Sequence, residues 1–142
     1  MKIVFIGAGR LATNLARALH AAGHDVVQVY SRTMESAATL AAMVGGSPTT
    51  STGAINGNAD VYILSVTDAV MPVLVPDICR GREEKVFIHT AGSIPIDVFQ
   101  GMALHYGVLY PMQSFSKERP VNFREVACFT EANDSYAGEM IH

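Results

Sequence analysis

Lys2-Ile3-Val4-Phe5-Ile6-Gly7-Ala8-Gly9-Arg10-Leu11-Ala12 is the stretch whose reading decides the fold. Its first half is apolar and branched, as in a strand buried on both faces. A glycine turn follows and opens directly into a helix, in which Leu11, Leu15, Ala18, Leu19 and Ala22 recur at helical spacing. Gly23 stands where a left-handed residue would end that helix. Val26, Val27 and Val29 then mark a second strand over residues 25–30. Strand, helix and strand complete a βαβ unit in about thirty residues. The turn has the form G-x-G-x-x-A, with Ala12 in the third small position. Such a turn lets backbone approach a pyrophosphate, which the free N–H groups and positive end of the helix then hold.

The rest of the chain repeats the alternation. Residues 34–44 read as a second helix with Glu35 in its first turn and Gly45-Gly46 after it. Residues 47–58 are rich in Ser, Thr, Gly and Asn and read as a loop, with a short edge strand near 48–50. Residues 60–66 and 85–90 are buried strands, and 68–80 is the helix between them. Pro72 suits its first turn, whereas Pro76 predicts a kink or an early end. A short helix is expected over 95–100, with Pro95 near its first position, and further strands over 107–110 and 126–130. Asn133-Asp134-Ser135 has the chemistry to cap one more helix. The fold class expected is α/β: a doubly wound, mostly parallel sheet of the Rossmann type with helices on both faces.

Composition narrows the function. The 142 residues suit one domain, 49% of them hydrophobic and 16% charged. A net charge of -3 without a basic stripe speaks against nucleic acid as a partner. No apolar run approaches the roughly 18 residues of a membrane span, and the start of the chain has no signal-peptide pattern. Cys79 and Cys128 lack metal-type spacing and read as reduced, buried thiols of a cytoplasmic protein. There is no Ser-His-Asp arrangement, P-loop lysine or metal-ligand cluster.

In such sheets ligands bind beyond the carboxyl ends of the strands, where the strand order reverses. Gly7, Ala8, Gly9, Arg10, Leu11 and Ala12 are therefore the candidate pyrophosphate site. Arg10 is equally well read as solvated. The end of the second strand selects the cofactor. An NAD-preferring domain places a carboxylate there for the ribose 2′-OH, but this chain has Ser31, Arg32 and Thr33. A guanidinium with two hydroxyls suits a 2′-phosphate, so the cofactor expected is NADP(H). The plainer alternative is that Arg32 is solvated and Thr33 caps the next helix. Ser65, Val66, Thr67 and Asp68 should line the nicotinamide ribose, with Asp68 also a candidate N-cap. His89-Thr90-Ala91-Gly92-Ser93 falls where a substrate would meet the nicotinamide, with Ser93 as a candidate substrate contact. His89 itself reads first as a core histidine held by backbone, and Thr90 and Ser93 as possible caps of the helix from Pro95. Gln113, in Tyr110-Pro111-Met112-Gln113-Ser114-Phe115, is a second candidate substrate contact. His20, His24 and His105 read as solvated helix or loop residues, and no catalytic residue is assigned.

These five segments, in this order, resemble a family of Rossmann-like NADP oxidoreductases. It is related to pyrroline-5-carboxylate reductase, to deazaflavin-dependent NADP reductase and to the 6-phosphogluconate dehydrogenase group. The resemblance covers nearly the whole chain and is most specific at 89–93 and 111–115. Such families place histidine before the proline of the last motif, where this chain has Tyr110. The resemblance implies hydride transfer between the nicotinamide and a small carbonyl, imine or hydroxy substrate. It also implies a helical C-terminal domain that closes the site and makes a homodimer. Residues 1–142 would then be the NADP-binding part of a longer protein, inactive alone. Two rivals remain: a nucleotide-sensing module without catalysis, and a sheet that has lost its ligand and serves assembly.

Overall fold

A computed structural model describes residues 1–91, 94–111 and 128–133. Among the described residues seven strands form one sheet in the order β3-β2-β1-β4-β5-β6-β7. They are β1 (Lys2–Ile6), β2 (Asp25–Tyr30), β3 (Ser47–Thr49), β4 (Val61–Leu64), β5 (Val86–His89), β6 (His105–Pro111) and β7 (Cys128–Ala132). The helices are α1 (Arg10–Ala21), α2 (Met34–Val44) and α3 (Met71–Cys79). Pairings from β3 through β6 are all parallel. The order runs outward in one direction from β1 and in the other from β4, so the switch point lies between those two strands.

Alternate residues of the central strands feed two cores. Ile3, Phe5, Val61, Ile63, Val86 and Ile88 pack beneath α1 and α2. Val4, Ile6, Tyr62, Leu64 and Phe87 point the other way, against Met71, Val75 and Ile78 of α3. Each such buried side chain contributes on the order of 1.5–3 kcal/mol. The Tyr62 and Phe87 rings stack at 5.1 Å, and Phe99 extends the cluster from a 3₁₀ turn (Ile96–Phe99). Two-sided burial is why these strands read as unbroken apolar runs.

Several expectations change in detail. The strand at the end of the described region, β7, pairs antiparallel with β6. Asn133, expected to cap a helix, instead extends that pairing. Its side chain accepts from the Tyr106 N–H at 2.8 Å and donates to the Leu104 carbonyl at 2.8 Å. Asp134 and Ser135 lie outside the described residues. Helix α3 starts at Met71 because the Thr67 carbonyl takes the Val70 and Met71 amides in a preceding turn. Its N-cap position is Val70, and Asp68 lies in the preceding turn, three residues before the first helical residue. Pro76 sits inside α3, which ends three residues later at Cys79. In α1 the core face is Ala12, Leu15, Ala16 and Leu19, while Leu11 turns away from it. Thr13 and Asn14 are buried too, because their side chains donate back to the Gly9 and Arg10 carbonyls. His20 is exposed, but His24 and His105 are half-buried, and His105 opens β6.

Candidate functional site

The glycine turn is shaped by sterics on one side and left open on the other. Gly7 has φ +111°, and a Cβ there would lie 2.1 Å from the Ser65 carbonyl oxygen. Only glycine tolerates both conditions, so the ends of β1 and β4 touch through it. Its N–H is spent on the Tyr30 carbonyl at 2.8 Å, which ties in the end of β2. Gly9 differs: its backbone is extended and a Cβ would meet nothing within 4 Å. That open space lies directly before α1, whose N-terminus has no side-chain cap and no acidic residue in its first turn.

Arg10 occupies the first helical position instead, where the helix dipole disfavours a cation. Arg10 and Arg32 are both exposed, and neither makes an ion pair with a described residue. Two guanidiniums without an ion pair among the described residues, beside an uncapped helix N-terminus, form a local concentration of positive potential. A sequence that breaks a helix rule without compensation among the described residues commonly does so for a ligand, and the chemistry of this end suits an anionic one.

These groups share one cleft of about 1180 Å³ at the switch point. That is slightly larger than the 300–1,000 Å³ or so typical of small-ligand sites. Of the candidate residues, Gly7, Ala8, Gly9, Arg10, Leu11, Ser31, Arg32, Ser65, Val66, Thr67 and Asp68 line it. Ala12 does not, being fully buried against the sheet. Thr33 does not either. It is the N-cap of α2, with its Oγ1 accepting from the Ser36 N–H at 3.4 Å and donating to the Ser36 hydroxyl at 3.0 Å. Ser93 and Gln113 lie outside the described residues.

Tyr30, Val70, Leu74, Thr90 and Ala91 also line the cleft and were not singled out as cofactor contacts. Tyr30 reads locally as the last residue of a strand, and Val70 and Leu74 as ordinary helix residues. Their position at the cleft follows from α3 lying beside the switch point, which no local pattern encodes. The N-cap of the 3₁₀ turn is Pro95 without a side-chain cap, and the Thr90 hydroxyl instead donates to the Leu64 carbonyl at 3.4 Å. His89 is fully buried behind the cleft, with its ring nitrogens against backbone of Ala91 and Pro95. Burial pushes the Cys79 thiol up to about 12, so it is no nucleophile at neutral pH. Among the described residues no His, Cys, Asp and Glu group has metal-site geometry, and no helix is long and apolar enough to cross a membrane.

Comparison with known proteins agrees with this geometry. The family model described as NADP oxidoreductase, coenzyme F420-dependent, matches residues 2–92. A provisionally assigned NADP oxidoreductase from Bacteroides fragilis is similar in structure at a TM-score of 0.94 and 49% identity, over 99% of this chain and 54% of that one. A pyrroline-5-carboxylate reductase from Coxiella burnetii shares the fold at TM-score 0.79 and 21% identity, over 97% and 53%. A prephenate dehydrogenase from A. aeolicus does so at 0.78 and 12%, over 99% and 55%. The chain thus spans about half the length of these solved relatives. A search of curated proteins found no match. A Rossmann-like sheet, a glycine turn at its switch point and the match over residues 2–92 lead to one assignment: the chain belongs to the coenzyme F420-dependent NADP oxidoreductase family.

Proposed function

We propose that the cleft holds NADP(H) for hydride transfer to or from a small carbonyl, imine or hydroxy compound. The observation that carries this reading is the turn at Gly9, open to solvent at an uncapped helix N-terminus beside two guanidiniums that are unpaired among the described residues. The residues fit the cofactor. Backbone N–H groups of the turn and of the first turn of α1 would take the pyrophosphate, where about half a unit of positive charge is concentrated. Arg32, with the Ser31 hydroxyl beside it, would take the 2′-phosphate. Thr33 serves that site indirectly by fixing the start of α2. Ser65, Val66, Thr67 and Asp68 would line the second ribose.

Bound NADPH would supply a hydride from its nicotinamide ring. The chain's own residues have the tasks of gripping, orienting and drying. Val66, Val70 and Leu74 give the cleft an apolar wall that keeps water away. Ser93 and Gln113 are the proposed substrate contacts. The half-length match to solved relatives supports reading residues 1–142 as the cofactor-binding part of a longer enzyme, completed by a helical second part. A homodimer and a cytoplasmic location accord with that resemblance and with a buried free thiol at Cys79.

The test is NADPH consumption by the full-length protein, followed by absorbance against a panel of small carbonyls, imines and a deazaflavin. Turnover of one acceptor class is expected. Tight NADPH binding with no turnover on any acceptor would favour a sensing module instead.

A further inference from the structure

His89 closes β5 with no exposed surface, and its ring lies 5.8 Å from that of Phe99. Its two nitrogens reach opposite ends of one loop. Nδ1 accepts from the Ala91 N–H at 3.1 Å, and Nε2 lies 3.3 Å from the Pro95 carbonyl oxygen. An amide N–H only donates and a carbonyl only accepts. The partners therefore dictate the neutral tautomer with its proton on Nε2. Between these anchor points the Ala91 carbonyl accepts the Ile94 N–H at 3.2 Å.

The loop so held is part of the cleft, since Thr90 and Ala91 line it. Sheet order says which part. Arg32 follows β2 on one side of the glycine turn, and β4 and β5 lie on the other. With the 2′-phosphate at Arg32 and the pyrophosphate at the turn, the nicotinamide half must run toward β4 and β5. A buried imidazole is costly unless its nitrogens are bonded, and here each nitrogen has a backbone partner at one end of this loop.

We infer that His89 is a positioning residue that ties Ala91 to Pro95 and so sets the nicotinamide end of the cleft. This rests on the cofactor reading above. The binding of 2′,5′-ADP, which ends before β4, is independent of the clamp, and NADPH binding depends on it.

The experiment titrates the wild type, His89→Leu and His89→Asn with NADPH and with 2′,5′-ADP, and follows amide exchange at Ala91. His89→Leu should weaken NADPH about tenfold, as expected when a binding-competent loop is populated about a tenth of the time. It should leave 2′,5′-ADP unchanged and speed exchange at Ala91 but not within β5. His89→Asn, whose Oδ1 can accept from the Ala91 N–H, should recover most of the NADPH affinity. Parallel loss of both ligands would show a merely structural histidine and overturn the inference, as would unchanged NADPH binding in His89→Leu. A wild type that binds 2′,5′-ADP but not NADPH would also overturn it, yet leave the adenosine half of the cofactor reading standing. Binding of neither would end both.

Discussion

The ends of β1 and β2 face the same cleft but are built on opposite principles. At the β1 end the determinant is backbone. Gly7 is locked by a positive φ and by the Ser65 carbonyl, and Gly9 leaves space. At the β2 end the determinant is side chain. Arg32 is exposed and unpaired among the described residues, on a strand end that would tolerate other residues. In the proposed reading the first is a phosphate site that any dinucleotide could use, and the second would make the choice between two cofactors. Affinity and selectivity should therefore respond to different substitutions.

The sharpest break is expected at Gly7→Ala. A forced positive φ and a Cβ collision with the backbone of β4 should cost about 3 kcal/mol or more. For a chain of 142 residues that lowers Tm by about 10 °C, measurable by thermal unfolding. Gly9→Val separates binding from folding. Its Cβ would meet no described atom within 4 Å, so stability should change by only about 1 kcal/mol or less. It fills the space a phosphate would use. NADPH and NADH should both weaken by on the order of 100-fold, as when about two charge-assisted hydrogen bonds are lost.

The β2 end should behave differently. Arg32→Ala removes one charged hydrogen-bond donor and should weaken NADPH about tenfold or more while leaving NADH unchanged. Its stability should stay within about 0.5 kcal/mol of wild type, as for an exposed side chain. The smallest effect belongs to Thr33→Ala. Loss of an N-cap should cost about 1 kcal/mol in unfolding experiments, with NADPH affinity nearly intact. A large, NADPH-selective loss in Thr33→Ala would mean that its hydroxyl belongs to the phosphate site after all.

The same contrast explains what was legible in the chain. Strands β1, β4 and β5 declare themselves because they are buried on both faces, β2 because of its valines, and the glycine turn because few residues fit it. The expectation of NADP(H) from Ser31-Arg32-Thr33 rests on a missing carboxylate, a chemical statement that needs no coordinates. Proximity was not readable. Tyr30, Val70 and Leu74 reach the cleft only because three elements converge there. The start of α3 was misplaced because Asp68 has the chemistry of a cap, while the Thr67 carbonyl takes the amides that decide the geometry. The direction of β7 was hidden for a related reason. An apolar run says that a strand exists and not which way its neighbour runs.

The central claim is that this cleft binds NADP(H) in preference to NAD(H), and titration calorimetry of the unaltered protein with NADPH and NADH tests it directly. The account predicts that NADPH binds at least about tenfold more tightly, the margin one charged hydrogen bond supplies. Equal affinity for the two, or tighter binding of NADH, would contradict it.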